Sequence, residues 1–203
     1  MIMARVLGLT GNIACGKTSV GQMLVELGAE RYIDADATVH SLYASGQPIA
    51  ISVAETFGTS VMNADGSVDR KALGAVVFQD AEAMRRLERI VHPAVGGALM
   101  KELALVSPTG IAIIDAVKLL EGNSGALCQS KWIVVCPEAQ ERARLMARNG
   151  FSEQEADARI RAQSPVEPRL SLVDEVIDNG GSLAQTRAQV VAAFERFQSK
   201  FPA

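Results

Sequence analysis

Val6-Leu7-Gly8-Leu9-Thr10-Gly11-Asn12-Ile13-Ala14-Cys15-Gly16-Lys17-Thr18-Ser19-Val20 is the stretch whose reading decides the fold. Its first four residues are a short apolar run. Gly11-x-x-x-x-Gly16-Lys17-Thr18 then matches the pattern G-x-x-x-x-G-K-[ST], and Val20, Met23, Leu24 and Leu27 recur at helical spacing until Gly28. Strand, loop and helix follow in the order that a phosphate-binding P-loop requires. The glycines let backbone N–H groups from Gly11 through Asn12, Ile13, Ala14, Cys15 and Gly16 to Ser19 turn inward as an anion nest, and the helix N-terminus adds partial positive charge there. Lys17 is placed to reach the β- and γ-phosphates of ATP, and the Thr18 hydroxyl to help hold Mg²⁺. A glycine turn with a merely solvated lysine is the competing reading, and it fits poorly beside both strand and helix. The Cys15 thiol, near a helix N-terminus, is expected to have a lowered pKa and to be shielded by ATP from mild alkylation.

Outward from the loop, a second strand at Arg31 to Ile33 ends in Asp34-Ala35-Asp36, after which a helix runs to Tyr43. This puts at least one carboxylate at the same sheet edge as the loop, where open α/β sheets bind ligands. One of the pair is expected to orient and deprotonate an acceptor hydroxyl, and the other to cap the helix. From Ile49 to Ser107 the pattern is helical, interrupted by Ala64-Asp65-Gly66 and by His92-Pro93, where proline predicts a new helix start. Ile111 to Asp115 and Trp132 to Cys136 are continuous apolar runs, as in a parallel sheet covered on two faces. The acid ending the first of these has the shape of a Walker B strand, so Asp115 reads equally as a metal-linked carboxylate and as a helix cap. Residues 138 to 163 are charged and helical with a break at Asn149-Gly150. A last strand, Glu175 to Ile177, precedes Asp178-Asn179-Gly180-Gly181 and a closing amphipathic helix.

Composition bounds the rest. With 203 residues, 48% of them hydrophobic, the chain closes one sizeable core and argues against disorder. A net charge of −3 disfavours a nucleic-acid partner, and no apolar run reaches membrane-spanning length. Three cysteines without a C-x-x-C pair suggest reduced thiols in cytoplasm rather than a disulfide framework or zinc site. Met1 and Met3 both offer a start.

Together with Leu9-Thr10-Gly11, the segments Ile33-Asp34-Ala35-Asp36, Val68-Asp69-Arg70, Val77-Phe78, His92-Pro93 and Val176-Ile177-Asp178-Asn179 resemble the dephospho-CoA kinase family, in order and spacing, over nearly the whole chain. The resemblance implies an α/β, three-layer P-loop kinase fold with a central parallel sheet, a helical acceptor-binding subdomain and a helical lid. Residues 1–203 then form a single kinase domain, with 1–47, 109–137 and 171–203 as core, 48–108 as acceptor-binding helices and 138–170 as lid. It implies transfer of the ATP γ-phosphoryl to the ribose 3′-hydroxyl of dephospho-CoA, with ATP and Mg²⁺, in a cytoplasmic monomer or small homo-oligomer. Asp36 matches the family's proposed general base, Arg144 and Arg148 the arginine-bearing lid, and Asn179 a position near the adenine of ATP. Lys17 and Arg148 join Asp36 as catalytic residues, since cations neutralise charge on the transferring phosphoryl. Asp34, Arg70, His92 and Lys118 are read as acceptor contacts.

The chain departs from the family at several points. Asn12 and Cys15 stand where glycine and serine are usual, His40 where arginine is usual, and Lys118 lies in a segment that usually reads Asp-x-Pro-Leu-Leu-x-Glu. Glu141 replaces a glutamine, with Gln140 displaced by one. Another P-loop small-molecule or nucleotide kinase is the nearest rival reading. A GTPase-like switch would need an Asn-Lys-x-Asp or Thr-Lys-x-Asp guanine motif, and a catalytically dead adenine-nucleotide binder fits poorly with Lys17, Thr18 and Asp36 retained.

Overall fold

The computed structural model describes residues 4–203, so the choice between Met1 and Met3 lies outside the described residues. Strands β1 (Arg5–Gly11), β2 (Arg31–Asp34), β3 (Ile111–Asp115), β4 (Ser130–Val135) and β5 (Glu175–Asp178) make one sheet. Its order is β2-β3-β1-β4-β5, and every pairing is parallel. Side chains alternate across a sheet. Leu7 and Leu9, Ile111 and Ile113, and Trp132 and Val134 therefore share one core cluster, while Val6, Ala112, Ile114 and Ile133 are equally buried on the opposite face. Burial on both faces is why these strands read as unbroken apolar runs. Helices α1 (Lys17–Glu26) and α9 (Leu183–Lys200) close the first face, adding Val20, Met23 and Leu24 from one and Val190, Phe194 and Phe197 from the other. A reciprocal Ser182–Gln185 capping box starts α9.

The chain divides into two compact units. One comprises the residues up to Asp34 together with Leu103–Ala203, and the other is Ala35–Glu102. Asp34 thus ends a sheet strand, whereas Asp36 belongs to the helical unit. That second unit holds α2 (Ala35–Leu42), α3 (Pro48–Phe57), α4 (Arg70–Val77) and most of α5 (Ala81–Leu103). Tyr43, Ala50, Val53, Val61, Val68, Leu73 and Val77 form its own core. Proline opens α3, and the Asp69 carboxylate caps α4 by accepting from the Lys71 and Ala72 amides at 2.9 and 3.0 Å.

The new helix start expected at His92-Pro93 is not found, because Pro93 lies inside α5. A mid-helix proline removes one backbone hydrogen bond and disfavours continuation. Here the apolar stripe Leu87, Val91, Val95, Leu99 and Leu103 runs past it at intervals of one helical turn, with Val91 and Leu99 buried on either side. Packing of that stripe outweighs the lost bond.

In the first unit, α6 (Glu138–Asn149) and α7 (Glu153–Arg161) meet at the expected Asn149-Gly150 break, and a short α8 (Glu167–Leu170) follows that the sequence did not announce. Leu145, Ala156 and Ile160 make a small core between α6 and α7, packed against Ile13 and Ala14 of the phosphate loop. Among the described residues, no helix is long and apolar enough to cross a membrane.

Candidate active site

Strand β1 delivers the loop to the carboxyl edge of the sheet, and Gly16 turns it into α1. Gly16 has φ 101° and ψ 24°, and a Cβ there would fall 2.0 Å from Asn179 Nδ2, so only glycine fits on either count. Ala14 also adopts a left-handed conformation, φ 60°, at a cost of about 1 kcal/mol. No side chain caps α1. Its first turn instead opens on a cavity of about 470 Å³ lined by Ala14, Gly16, Lys17, Thr18 and Ser19, with Arg144, Ala147 and Arg148 of α6 opposite. Every charged residue in that lining is a cation. Amides at a helix N-terminus facing three cationic side chains make an anion site.

The loop is braced from behind. The Arg144 guanidinium donates to the carbonyl oxygens of Ala14 (3.2 Å), Cys15 (3.1 Å) and Asn179 (3.2 Å) and to Gln140 Oε1 (3.0 Å). Gln140 in turn donates to the Gly180 carbonyl at 2.7 Å. Gln140, not Glu141, thus links α6 to the turn after β5. Asn179 is buried, donating its amide to the Cys15 carbonyl at 2.8 Å and accepting from the Thr186 hydroxyl at 3.0 Å. It supports the loop from below. Lys17 Nζ donates to the Gly11 carbonyl at 3.0 Å, and the Ile13 amide donates to Gln163 Oε1 at 2.7 Å.

Sequence reasoning missed Arg169. This buried arginine of α8 donates to Asn12 Oδ1 (3.0 Å), Thr10 Oγ1 (2.7 Å) and the Val117 carbonyl (3.1 Å). The asparagine that departs from the family pattern is therefore a side-chain acceptor for a guanidinium. Helix α8 is too short to show periodicity, so no spacing pointed to it.

The expected reactivity of Cys15 is overturned. Its side chain is fully buried in the main core, and burial pushes the thiol up to about 11 despite the opposing pull of Lys17. A helix N-terminus lowers a thiol pKa only where the thiolate stays solvated or paired. Iodoacetamide at about pH 8 is expected to leave Cys15 unmodified in the native protein whether or not ATP is present, and to label it after denaturation. Peptide mass mapping reads the result, and native labelling that ATP suppresses would restore the reactive thiol.

Glu141 is also buried. Burial, with repulsion from Glu138, pushes its carboxyl up to about 7, against attraction from Lys17 and Arg144. The folded chain thus holds this proton more tightly than the unfolded chain, whose value is 4.5. Stability falls as pH rises between those values and stays lower above them, by up to about 3 kcal/mol. Glu141→Gln is expected to restore up to about 3 kcal/mol at pH 8 and almost nothing at pH 4, compared by urea denaturation. An equal gain at both would mean that the charge is not the cause.

Asp115, at the end of β3 and in register with Asp34, accepts a hydrogen bond from the Tyr32 hydroxyl. Asp34 and Lys118 are exposed. Within the helical unit, Asp36 is exposed in the first turn of α2 with His40 one turn on, and the Arg70 guanidinium donates to the His40 imidazole (3.1 Å to Nδ1). His92 is exposed on α5.

Residues 5–185 match the family model for dephospho-CoA kinase. A dephospho-CoA kinase of Carboxydothermus hydrogenoformans is 40% identical over 202 residues, covering 98% of either chain. Among solved structures, TT1252 from Thermus thermophilus is similar with a TM-score of 0.81 at 30% identity, covering 99% of this chain and 100% of that one. A dephospho-CoA kinase from Campylobacter jejuni is similar with a TM-score of 0.58 at 25% identity, covering 96% and 98%.

Proposed function

The chain belongs to the dephospho-CoA kinase family, and from that premise we infer that it moves the γ-phosphoryl group of ATP to the ribose 3′-hydroxyl of dephospho-CoA, yielding CoA and ADP in the last step of CoA synthesis. The observation that carries the reading is the cavity over the Gly11 to Thr18 loop, where bare helix amides face Lys17, Arg144 and Arg148. Phosphoryl transfer is catalysed mainly by positioning and by cations set against the oxygens that bear charge in the transition state. Lys17 serves the β- and γ-phosphates, Arg148 the transferring group, and Arg144 both the phosphates and the loop that holds them. Asn179 acts at the nucleotide end.

The exposed Thr18 hydroxyl fits Mg²⁺, which keeps several waters and takes few protein oxygens when it travels with nucleotide phosphates. Bound there, the ion would neutralise phosphate charge. On the acceptor side we assign Asp36 as general base, with Asp34, Arg70, His92 and Lys118 as contacts. In this scheme residues 48–108 are the acceptor-binding helices, 138–170 the lid, and the remainder the core of a single kinase domain. Three free thiols accord with a reducing cytoplasm.

The test is turnover with ATP and Mg²⁺, offering dephospho-CoA beside nucleoside monophosphates and small alcohols, with products followed by phosphorus NMR. Dephospho-CoA is expected to be the preferred acceptor. Phosphorylation of another alcohol while dephospho-CoA stays untouched would sink the assignment.

A further inference from the structure

Arg169 has no part in the reading above, and it gives its hydrogen bonds to neutral oxygens. Glu121 Oε1 comes no closer to Nε than 4.0 Å, on a half-exposed side chain, and Nε itself is buried without a hydrogen bond among the described residues. A guanidinium buried in this way contributes little to stability, since an apolar side chain of similar volume often serves as well. What it does is grip. From α8 it reaches Thr10 near the end of β1, Asn12 in the loop and the Val117 carbonyl beyond β3. Thr10 donates its own proton to that same carbonyl at 3.0 Å, so it meets the guanidinium as an acceptor. The two residues gripped, Thr10 and Asn12, bracket Gly11. Lys17 Nζ rests on the carbonyls of Gly11 and Asn12, at 3.0 and 3.5 Å. Arg169 therefore holds the stretch of backbone on which the Lys17 ammonium is seated.

We propose that Arg169 is a positioning residue for phosphoryl transfer, fixing residues 10 to 12 so that Lys17 meets the β- and γ-phosphates of ATP in the right place. It acts through Thr10 and Asn12 rather than by contact with substrate. Asn12 gives this chain a branch of the grip that glycine, with no side chain to offer, does not provide. The inference rests on the reading of Lys17 as the cation that serves those phosphates.

Arg169→Lys keeps the charge, but an ammonium lacks the planar fork that spans three acceptors. It is expected to lower kcat by about 10 to 10²-fold, the scale of a misplaced catalytic group, with KM for dephospho-CoA unchanged. The measurement is repeated in Lys17→Met, using radiolabelled ATP. There the same substitution is expected to cost less than about 2-fold, because the group it positions is already gone, whereas a loop that had merely loosened would lose rate in both backgrounds. Asn12→Gly removes one branch of the grip and leaves the buried arginine in place, so it reads the link even should Arg169→Lys fail to fold, as thermal unfolding reveals. It is expected to lower kcat in the same direction, by less than Arg169→Lys, and again only while Lys17 is present. Wild-type kcat in the folded variants, a loss that appears in KM for dephospho-CoA instead, or equal losses with and without Lys17 would each overturn the proposal. Should Lys17→Met itself keep the wild-type rate, the Lys17 reading fails and takes this one with it. A slow Lys17→Met beside wild-type rates in Arg169→Lys and Asn12→Gly removes the role of Arg169 alone.

Discussion

Lys17→Met is expected to lower kcat/KM by about 10³-fold or more while leaving the fold intact. The ammonium group is the cation nearest the loop backbone, held by the Gly11 carbonyl at 3.0 Å and the Asn12 carbonyl at 3.5 Å. Those carbonyls are weaker acceptors than a phosphate, so ATP can draw the side chain toward its own oxygens. Methionine has nearly the same reach and no charge. The loop does not depend on Lys17 for its shape, because Arg144, Asn179 and Arg169 bond it independently. Single-turnover kinetics beside thermal unfolding test both halves. A variant within about 10-fold of wild type would show that backbone amides alone stabilise the transition state.

Asp36→Asn is expected to lower kcat by about 10² to 10⁴-fold with little change in KM for ATP. Asparagine matches aspartate in size but cannot take the acceptor's proton. The first turn of α2 tolerates either residue, since both suit helix N-termini. The split between kcat and KM separates a base from a binding group. A raised KM for dephospho-CoA at constant kcat would recast Asp36 as an acceptor ligand.

Much of the fold was legible because the fold's own periodicities were undisturbed in the chain. Val6 to Leu9, Ile111 to Ile114 and Trp132 to Val135 are apolar at every position because both sheet faces are covered. The phosphate loop was legible because the need for glycine at Gly16 is local. Pro93 was misread for the opposite reason, since a local rule met a longer stripe that overrides it. Cys15 was misread because its place near α1 says nothing of depth, and the core below it reverses the effect of the helix. Arg169 and Tyr32 were invisible. Each meets partners far along the chain, at Thr10 and Asn12 for the first and at Asp115 for the second. Such pairings depend on sheet order and on the return of α8, which no short window reports.

Strand β1 has its own consequence for how the protein is made. Its two neighbours come from far downstream, Leu7 pairing with Ile113 on one side and with Ser130 on the other. While the ribosome is still emitting the middle of the protein, β1 has two bare edges and an apolar surface, which is the condition that invites misassociation. ATP gives no help at that stage, because a ligand stabilises only a state that already binds it. The loop gains its flanking strands after Val135 emerges, the Arg169 brace later, and the Asn179 brace later still. A nascent chain stalled before Arg169 would therefore depend on chaperones rather than on its own co-substrate.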